Sequence, residues 1–317
     1  MDKQINPRKA AVIGCGFVGS AIAFTLMQSR LFSEIVLLDA DFDKADGEAM
    51  DIAHGVPFAG QMKVYAGGYE HMADAAVIIL TAGANQKPNE TRLDLVHKNT
   101  AILKNIIPEI VKCDFKGILL IVSNPVDILT YAAVKLSGFS ENRVIGSGTV
   151  LDTARLKYAL SEYLAVDSRS IHSFIIGEHG DSEIAAWSST NVSGIPLDDF
   201  CEMRGHFNHA EAMRQIAENV KNSAYEIIAK KHATYYGIAM AVRRICECIV
   251  RDEKSILPIS SIQHGNYGIH EIALSMPAIV GVNGVETHVP ISLNAEETKS
   301  LLYSAETLEN MIQELDL

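Results

Sequence analysis

The residues richest in chemical possibility lie at 175–183, IIGEHGDSE. His179 stands there between Glu178 and Gly180, just after an apolar run of strand character. An imidazole so placed can pass a proton near neutral pH. His179, Asp181 and Glu183 are also potential metal ligands, but these short spacings lack the histidine–histidine i,i+4 pairing of helical metalloprotease sites. A purely structural histidine is the plainer alternative. GSGTVLDTARL at 146–156 puts Asp152 and Arg155 three residues apart on a predicted helix, hence on one face. Taken alone, that pair reads as a surface ion pair. AGANQKPNETRLDLV at 82–96 is rich in Asn, Gln, Pro and charge, which predicts a loop. VSNPVD at 122–127 also follows the end of an apolar run.

GCGFVG, from Gly14 to Gly19, is a different kind of site. It follows a predicted strand and opens a predicted helix, Phe17 and Val18 included. Gly14 allows a tight turn, Gly16 lets the backbone approach a pyrophosphate, and Gly19 lets helix and strand pack closely. Free N–H groups of the helix start favour phosphate. Asp39 lies twenty positions after Gly19, at the end of the next predicted strand, where an acid meets a ribose 2′-hydroxyl. A carboxylate there repels a 2′-phosphate, so the expected cofactor is NAD rather than NADP. A Gly-rich turn with no ligand is the bland alternative.

The elements that must position these residues alternate. Apolar runs at 9–14, 34–40, 75–83, 118–125 and 143–148 read as strands, separated by helical stretches. Continuous apolar strands between helices predict a parallel sheet covered on both faces. The predicted fold class is α/β, a Rossmann doubly wound sheet over 1–146, followed by a mixed α+β catalytic domain over 147–317. Helical patterns in the second half occupy about 149–163, 208–230 and the stretch after Leu293, with strands at 170–177 and 256–262. Loops after parallel strands gather at the carboxyl edge, where such sheets bind ligands.

Composition limits the partners. The 317 residues carry a net charge of −12, which argues against nucleic acid and anionic membrane surfaces. No apolar run approaches the roughly 18 residues of a membrane span, and the first residues show no secretory pattern. Five cysteines without framework spacing suit a reduced, cytoplasmic protein. Cys246 and Cys248 form a CxC pair that reads as packing, since metal sites need about three or four ligands.

In their order along the chain, AGANQKP–ETR, VSNPVD, LDTAR and GEHGD resemble the L-lactate/L-malate dehydrogenase family, over essentially the whole sequence. The resemblance implies an oxidoreductase that exchanges hydride between NADH and pyruvate/L-lactate in glycolysis and fermentation. Malate or a broader 2-keto acid is the alternative substrate class. It implies His179 as acid/base, Asp152 as its partner, Arg155 as carboxylate anchor, Arg92 as the mobile-loop arginine polarising the carbonyl, and Asn124 beside the reacting oxygen and nicotinamide. Thr81, Ala82, Gly83, Val122 and Ile238 join the expected cofactor contacts, and Thr234 the substrate pocket. Gln86 stands where malate-type members carry an arginine, so it selects pyruvate over a dicarboxylate. Asn89 and His232 stand where glycine is common in the family. Bacterial members often bind fructose 1,6-bisphosphate between subunits. Lys157 and His172 match that site, with Lys in place of Arg, or are ordinary surface residues. A homotetramer without resident metal is expected. An NAD-dependent glycosidase, which needs a metal, and a non-catalytic NAD sensor are the rivals from other classes.

Overall fold

The computed structural model describes residues 5–84 and 91–315. Among them, strands β1 (Asn6–Ile13), β2 (Glu34–Leu38), β3 (Lys63–Ala66), β4 (Ala75–Leu80), β5 (Ile118–Ile121) and β6 (Val144–Gly146) pair in parallel in the order β3-β2-β1-β4-β5-β6. That is the Rossmann order, with its switch point between β1 and β4. The crossovers carry helices α1 (Phe17–Ser29), α2 (Phe42–His54), α3 (Val56–Ala59), α4 (Arg92–Lys112) and α5 (Val126–Ser137).

The strands explain themselves by alternation. Ala10, Val12, Ile35, Leu37, Val77 and Ile79 enter one apolar layer, while Ala11, Ile13, Val36, Ile78 and Leu80 enter the other. Successive strand side chains point to opposite faces, so a strand buried on both sides must be apolar throughout. Ile22, Leu26 and Met27 of α1 cover the first face; Leu103, Ile107 and Ile110 of α4 cover the second.

The second half contributes α6 (Val150–Leu164), then short strands β7 (Ile171–His172), β8 (Ile175–Ile176), β9 (Ile184–Ala185), β10 (Asn191–Val192) and β11 (Ile195–Pro196). Helices α7 (Leu197–Met203), α8 (His209–Lys231) and α9 (Tyr236–Arg251) follow, then β12 (Ser255–His264), β13 (His270–Gly281), β14 (Gly284–His288) and α10 (Ala295–Gln313). The long strands β12, β13 and β14 continue the first sheet in antiparallel fashion, β12 joining β6 at Ser260–Gly146. One hydrogen-bonded sheet therefore runs through both halves.

Three sequence expectations need correction. The single strand expected over 170–177 is two: β7 pairs with β10, and β8 with β9. Buried Ser173, hydrogen-bonded to Thr190 Oγ1 at 2.7 Å, marks the break between them. The loop expected over 82–96 ends earlier, because α4 begins at Arg92. Thr91 and Asp94 form a reciprocal capping box that starts the helix there. β3 lies outside the runs that read as strands, since its residues are only partly buried. Cys246 and Cys248 pack, fully buried, within α9.

Gly14 takes φ +102°, and a Cβ there would meet Ala82 N at 2.5 Å. A Cβ at Gly19 would lie 1.8 Å from Gly14 O. Gly19→Ala is therefore expected to cost about 1–3 kcal/mol by overpacking. Urea denaturation of the two proteins measures it; an unchanged midpoint would refute this reading of the β1–α1 junction.

Candidate active site

Asp152 is the centre of the site. It lies in the first turn of α6, 1 % exposed. Its Oδ2 meets His179 Nδ1 at 2.6 Å, and its Oδ1 accepts from Arg155 Nη1 at 2.8 Å. The i,i+3 pair that alone suggested a surface contact is thus mostly buried and joined to the histidine. Burial pushes the Asp152 carboxyl up, but the charges of His179 and Arg155 outweigh it and hold it below the usual carboxylate range. Burial alone would lower the His179 imidazole; the charge and hydrogen bond of Asp152 override it and raise the ring to about 9. His179 therefore carries its proton through neutral pH. Its Nε2 makes no hydrogen bond to the described residues.

Several elements hold the His179 loop. The backbone N–H of His179 donates to Asp127 Oδ2 at 2.8 Å, and Ser275 Oγ on β13 donates to Asp127 Oδ1 at 3.0 Å. Burial pushes the Asp127 carboxyl up, against these hydrogen bonds. Gly177 pairs with Ser275 through two backbone hydrogen bonds of 2.9 and 3.2 Å. Ser304 on α10 accepts from Glu178 N at 2.8 Å. Thr149 Oγ1 donates to Ile175 O at 2.5 Å, and Ile175 N donates to Thr153 Oγ1 at 2.8 Å, which locks α6 against β8.

Arg92 is the first residue of α4 and reaches the same loop. Its guanidinium pairs with buried Glu178 and lies 3.8 Å from Asp181. The arginine expected to arrive from a loop is thus anchored on a helix, with its Nη2 beside Gly180. Asn124 lies at the carboxyl end of β5, where its carbonyl accepts from Asn99 Nδ2 at 2.6 Å. Asn99 Oδ1 also accepts from Ala84 N at 2.7 Å. Buried Asn99 therefore ties together the chain leaving β4 and the chain leaving β5. Asp127, Glu178 and Asn99 were not singled out from the sequence. A carboxylate just past a strand end, and a polar residue inside an otherwise apolar helix stripe, were the available signals.

The glycine turn fits a dinucleotide. Asp39 Oδ2 accepts from Cys15 N at 2.6 Å and Oδ1 from Asp41 N at 3.1 Å, which fixes the carboxylate beside the turn. A Cβ at Gly16 would meet nothing within 4 Å, leaving open space before the uncapped start of α1. The first-turn N–H groups of Phe17, Val18 and Gly19 have no intrahelical acceptor and suit a phosphate. Thr81 Oγ1 donates to Gly14 O at 2.7 Å, and Ser123 Oγ donates to Ala82 O at 2.6 Å. Gly83 packs on Asn99. Val18 and Ile238 border the apolar layer that contains Val122 and Val150. Phe17 stacks on Tyr235 with ring centres 5.5 Å apart.

The structure brings Asp152, Arg155, His179 and Arg92 together at the carboxyl edge. Thr234 lies half-buried in the turn before α9, with no hydrogen bond to that group. Lys157 is half-buried on α6 and held below the usual lysine range by burial, and His172 is exposed on β7. Gln86 and Asn89 lie outside the described residues. Of the two acids weighed with His179 as metal ligands, Glu183 approaches His179 and Asp152 within 4.8 Å. Both Asp152 oxygens are already bound and a guanidinium adjoins them, which opposes a cation there. Asp181 is exposed and accepts from Tyr225 Oη at 3.0 Å.

No described helix is long and apolar enough to cross a membrane. The chain is 54 % identical over 310 residues to an L-lactate dehydrogenase of Acetivibrio thermocellus, covering 98 % of each chain. It is 51 % identical to L-lactate dehydrogenase 1 of Clostridium acetobutylicum, over 97 % of this chain and 98 % of that one. Its fold matches the minor L-lactate dehydrogenase of Enterococcus mundtii, solved with ligands bound, at a TM-score of 0.95 and 42 % identity, covering 98 % and 99 % of the two chains. Residues 8–146 match the NAD binding domain of lactate/malate dehydrogenases, and 149–316 match their alpha/beta C-terminal domain. With its glycine turn, Asp39 and the Asp152-centred cluster in one edge of one sheet, the chain belongs to the lactate/malate dehydrogenase family.

Proposed function

We propose that this protein is an NAD-dependent L-lactate dehydrogenase that interconverts pyruvate and L-lactate. The observation that carries the reading is the single buried carboxylate of Asp152 holding both a protonated imidazole and an arginine fork. The reduced nicotinamide, when bound, supplies hydride to the carbonyl carbon. Negative charge then grows on the carbonyl oxygen, and His179 Nε2–H donates the proton that neutralises it. Asp152 fixes the ring with Nδ1 inward and Nε2 outward, and stabilises the imidazolium before transfer. Arg155 commits one Nη1–H to Asp152 and offers the rest of its planar fork to the substrate carboxylate. Arg92, beside Gly180, adds positive charge near the same oxygen. Asn124 orients the carbonyl, Thr234 lines the pocket, and the uncharged Gln86 admits a methyl group where a dicarboxylate would need a cation.

The division at 146/147, a cytoplasmic location and assembly as a homotetramer belong to the same proposal. So does regulation by fructose 1,6-bisphosphate through Lys157 and His172. Lys157 follows Arg155 by two residues on α6, and His172 precedes the β8 segment that Thr149 and Thr153 tie to α6. A phosphate held there acts on the helix that carries the substrate anchor. A pyruvate saturation curve unchanged by the sugar phosphate removes this element.

Three outcomes are expected from following NADH absorbance with purified protein. Pyruvate is turned over in preference to oxaloacetate, and Gln86→Arg shifts that ratio toward oxaloacetate; the opposite preference in the natural sequence would sink the assignment. Arg155→Lys loses the bidentate grip, worth about 1.5–3 kcal/mol, so kcat/KM for pyruvate falls roughly 10–100-fold. Pyruvate reduction needs protonated His179, so it declines as pH rises through about 9. Asp152→Asn removes the charge that raises the ring, and burial then dominates. The decline should move down by about two pH units or more. An unmoved pH profile in Asp152→Asn would refute His179 as the titrating donor.

A further inference from the structure

Glu183 is a half-buried acid that the reaction as described does not use. It closes the turn of the His179 loop, its N–H donating to Gly180 O at 3.2 Å. Its carboxylate, the His179 ring and the Asp152 carboxylate offer atoms that lie within 4.8 Å of one another. Glu183 Oε1 is buried and has no hydrogen-bond partner among the described residues. An ionised carboxylate in that condition is costly, because nothing replaces the water it gave up. The other side of Glu183 faces a cavity of about 360 Å³ lined by Ile175, Trp187, Arg214, Glu218 and Lys221.

The charged groups around it come from three elements. α6 supplies Asp152 and Arg155, the His179 loop supplies its imidazole, and α8 supplies Arg214, Glu218 and Lys221. Arg214 is paired with exposed Glu211, and Glu218 accepts from Asn222. Burial and the Asp152 charge oppose an ionised Glu183, while His179, Arg155 and Lys221 favour it. The opposing effects win, and burial first, then the Asp152 charge, lift the carboxyl to about 8. At neutral pH two cations, Arg155 and protonated His179, therefore face one anion, Asp152. The cluster presents one excess positive charge to an anionic keto acid. Ionisation of Glu183 cancels that excess and places a second carboxylate within the field of the Arg155 fork.

We propose that Glu183 is a positioning residue for the lactate dehydrogenase reaction: its neutral carboxyl keeps the Asp152–His179–Arg155 cluster positive, and its ionisation weakens the hold on the substrate carboxylate. The inference rests on the function assigned above. It makes Glu183 a group whose ionisation ends tight pyruvate binding at alkaline pH. The chemistry needs nothing new, since Glu183 touches no reacting atom and exchanges its proton with solvent through the α8 cavity.

The test compares the natural protein with Glu183→Gln and Glu183→Asp at saturating NADH. With the carboxyl titrating near 8, the pyruvate KM of the natural protein should rise about tenfold between roughly pH 7 and pH 9, while kcat changes little before His179 titrates. Glu183→Gln keeps the neutral state at all pH and should flatten that rise to about twofold, with kcat at neutral pH within about twofold of natural. Glu183→Asp restores a titrating carboxyl and should restore the rise. A second readout does not depend on turnover: the His179 ring titration followed by NMR. An ionised Glu183 raises that ring, so Glu183→Gln should titrate lower. A KM that rises equally in the natural protein and Glu183→Gln overturns the proposal. So does an unchanged ring titration. If the natural protein fails to reduce pyruvate, the function assigned above falls, and the ring titration alone still decides whether Glu183 tunes His179.

Discussion

Everything at the site depends on one buried carboxylate with two cationic partners. Asp152 could not stay ionised at 1 % exposure without them, since an isolated buried charge is neutralised or expelled. His179 and Arg155 could not both stay oriented without it. Removing one partner of such a buried pair typically costs about 3–5 kcal/mol, because the other charge is left behind. The carboxylate also makes the two functions interdependent. The proton on His179 and the direction of the Arg155 fork are set by opposite oxygens of the same group. A shift of α6 that loosened one would loosen the other, so the helix has to be held rigidly. Thr149 and Thr153, both buried, do this by hydrogen-bonding the main chain of β8 on either side of Ile175.

The same demand explains why the sheet does not stop where the parallel strands end. The His179 loop begins after β8 and has little regular structure of its own. Its N–H groups and its glycine are instead paired by Asp127 at the start of α5, Ser275 on β13 and Ser304 on α10. Asp127 belongs to the first half of the chain and the other two to the second. By running β12 and β13 alongside β6, the chain puts Ser275 within reach of Asp127. The nucleotide end and the proton-donating end of the site are thereby fixed to one frame. A hydride transfer between two separately held reactants gains from such fixed geometry.

Much of this is legible in the sequence. The glycine turn and Asp39 were readable because a nucleotide constrains both residue type and spacing. The doubly buried strands were readable because continuous apolar runs have few other uses. Helix α6 was placed within a residue at each end, and with it the face shared by Asp152 and Arg155. What was hidden is non-local. Asp127 hydrogen-bonds a residue 52 positions away, and Ser304 one 126 positions away. No periodicity encodes such pairs. The start of α4 at Arg92 was hidden for a different reason. Its polar first turn looks like loop, and only the reciprocal bonds between Thr91 and Asp94 make it a helix end. That error mattered, because it moved Arg92 from a helix to a loop and obscured its ion pair with Glu178.

A chain with a net charge of −12 binds an anion, and the structure resolves the tension by distance and burial. The surface acids act across water and salt, where fields fade within about 8–10 Å. Arg155 is only 16 % exposed, so its attraction for a carboxylate is poorly screened. The local balance then outweighs the global one, and that balance is counted over very few groups. The loss of one proton, from His179 or from Glu183, removes it. Acids placed next to cations in this way do two opposite things. Asp152 is needed because it orients; Glu178 because it holds Arg92 against the loop; yet each also offsets positive charge that the substrate would otherwise meet. The arrangement works because Glu183, within 4.8 Å of the Asp152 carboxylate and the His179 ring, is an acid whose burial and lack of a hydrogen-bond donor favour its neutral form. Orientation is thus obtained from ionised carboxylates, and attraction for the substrate survives because this other one keeps its proton.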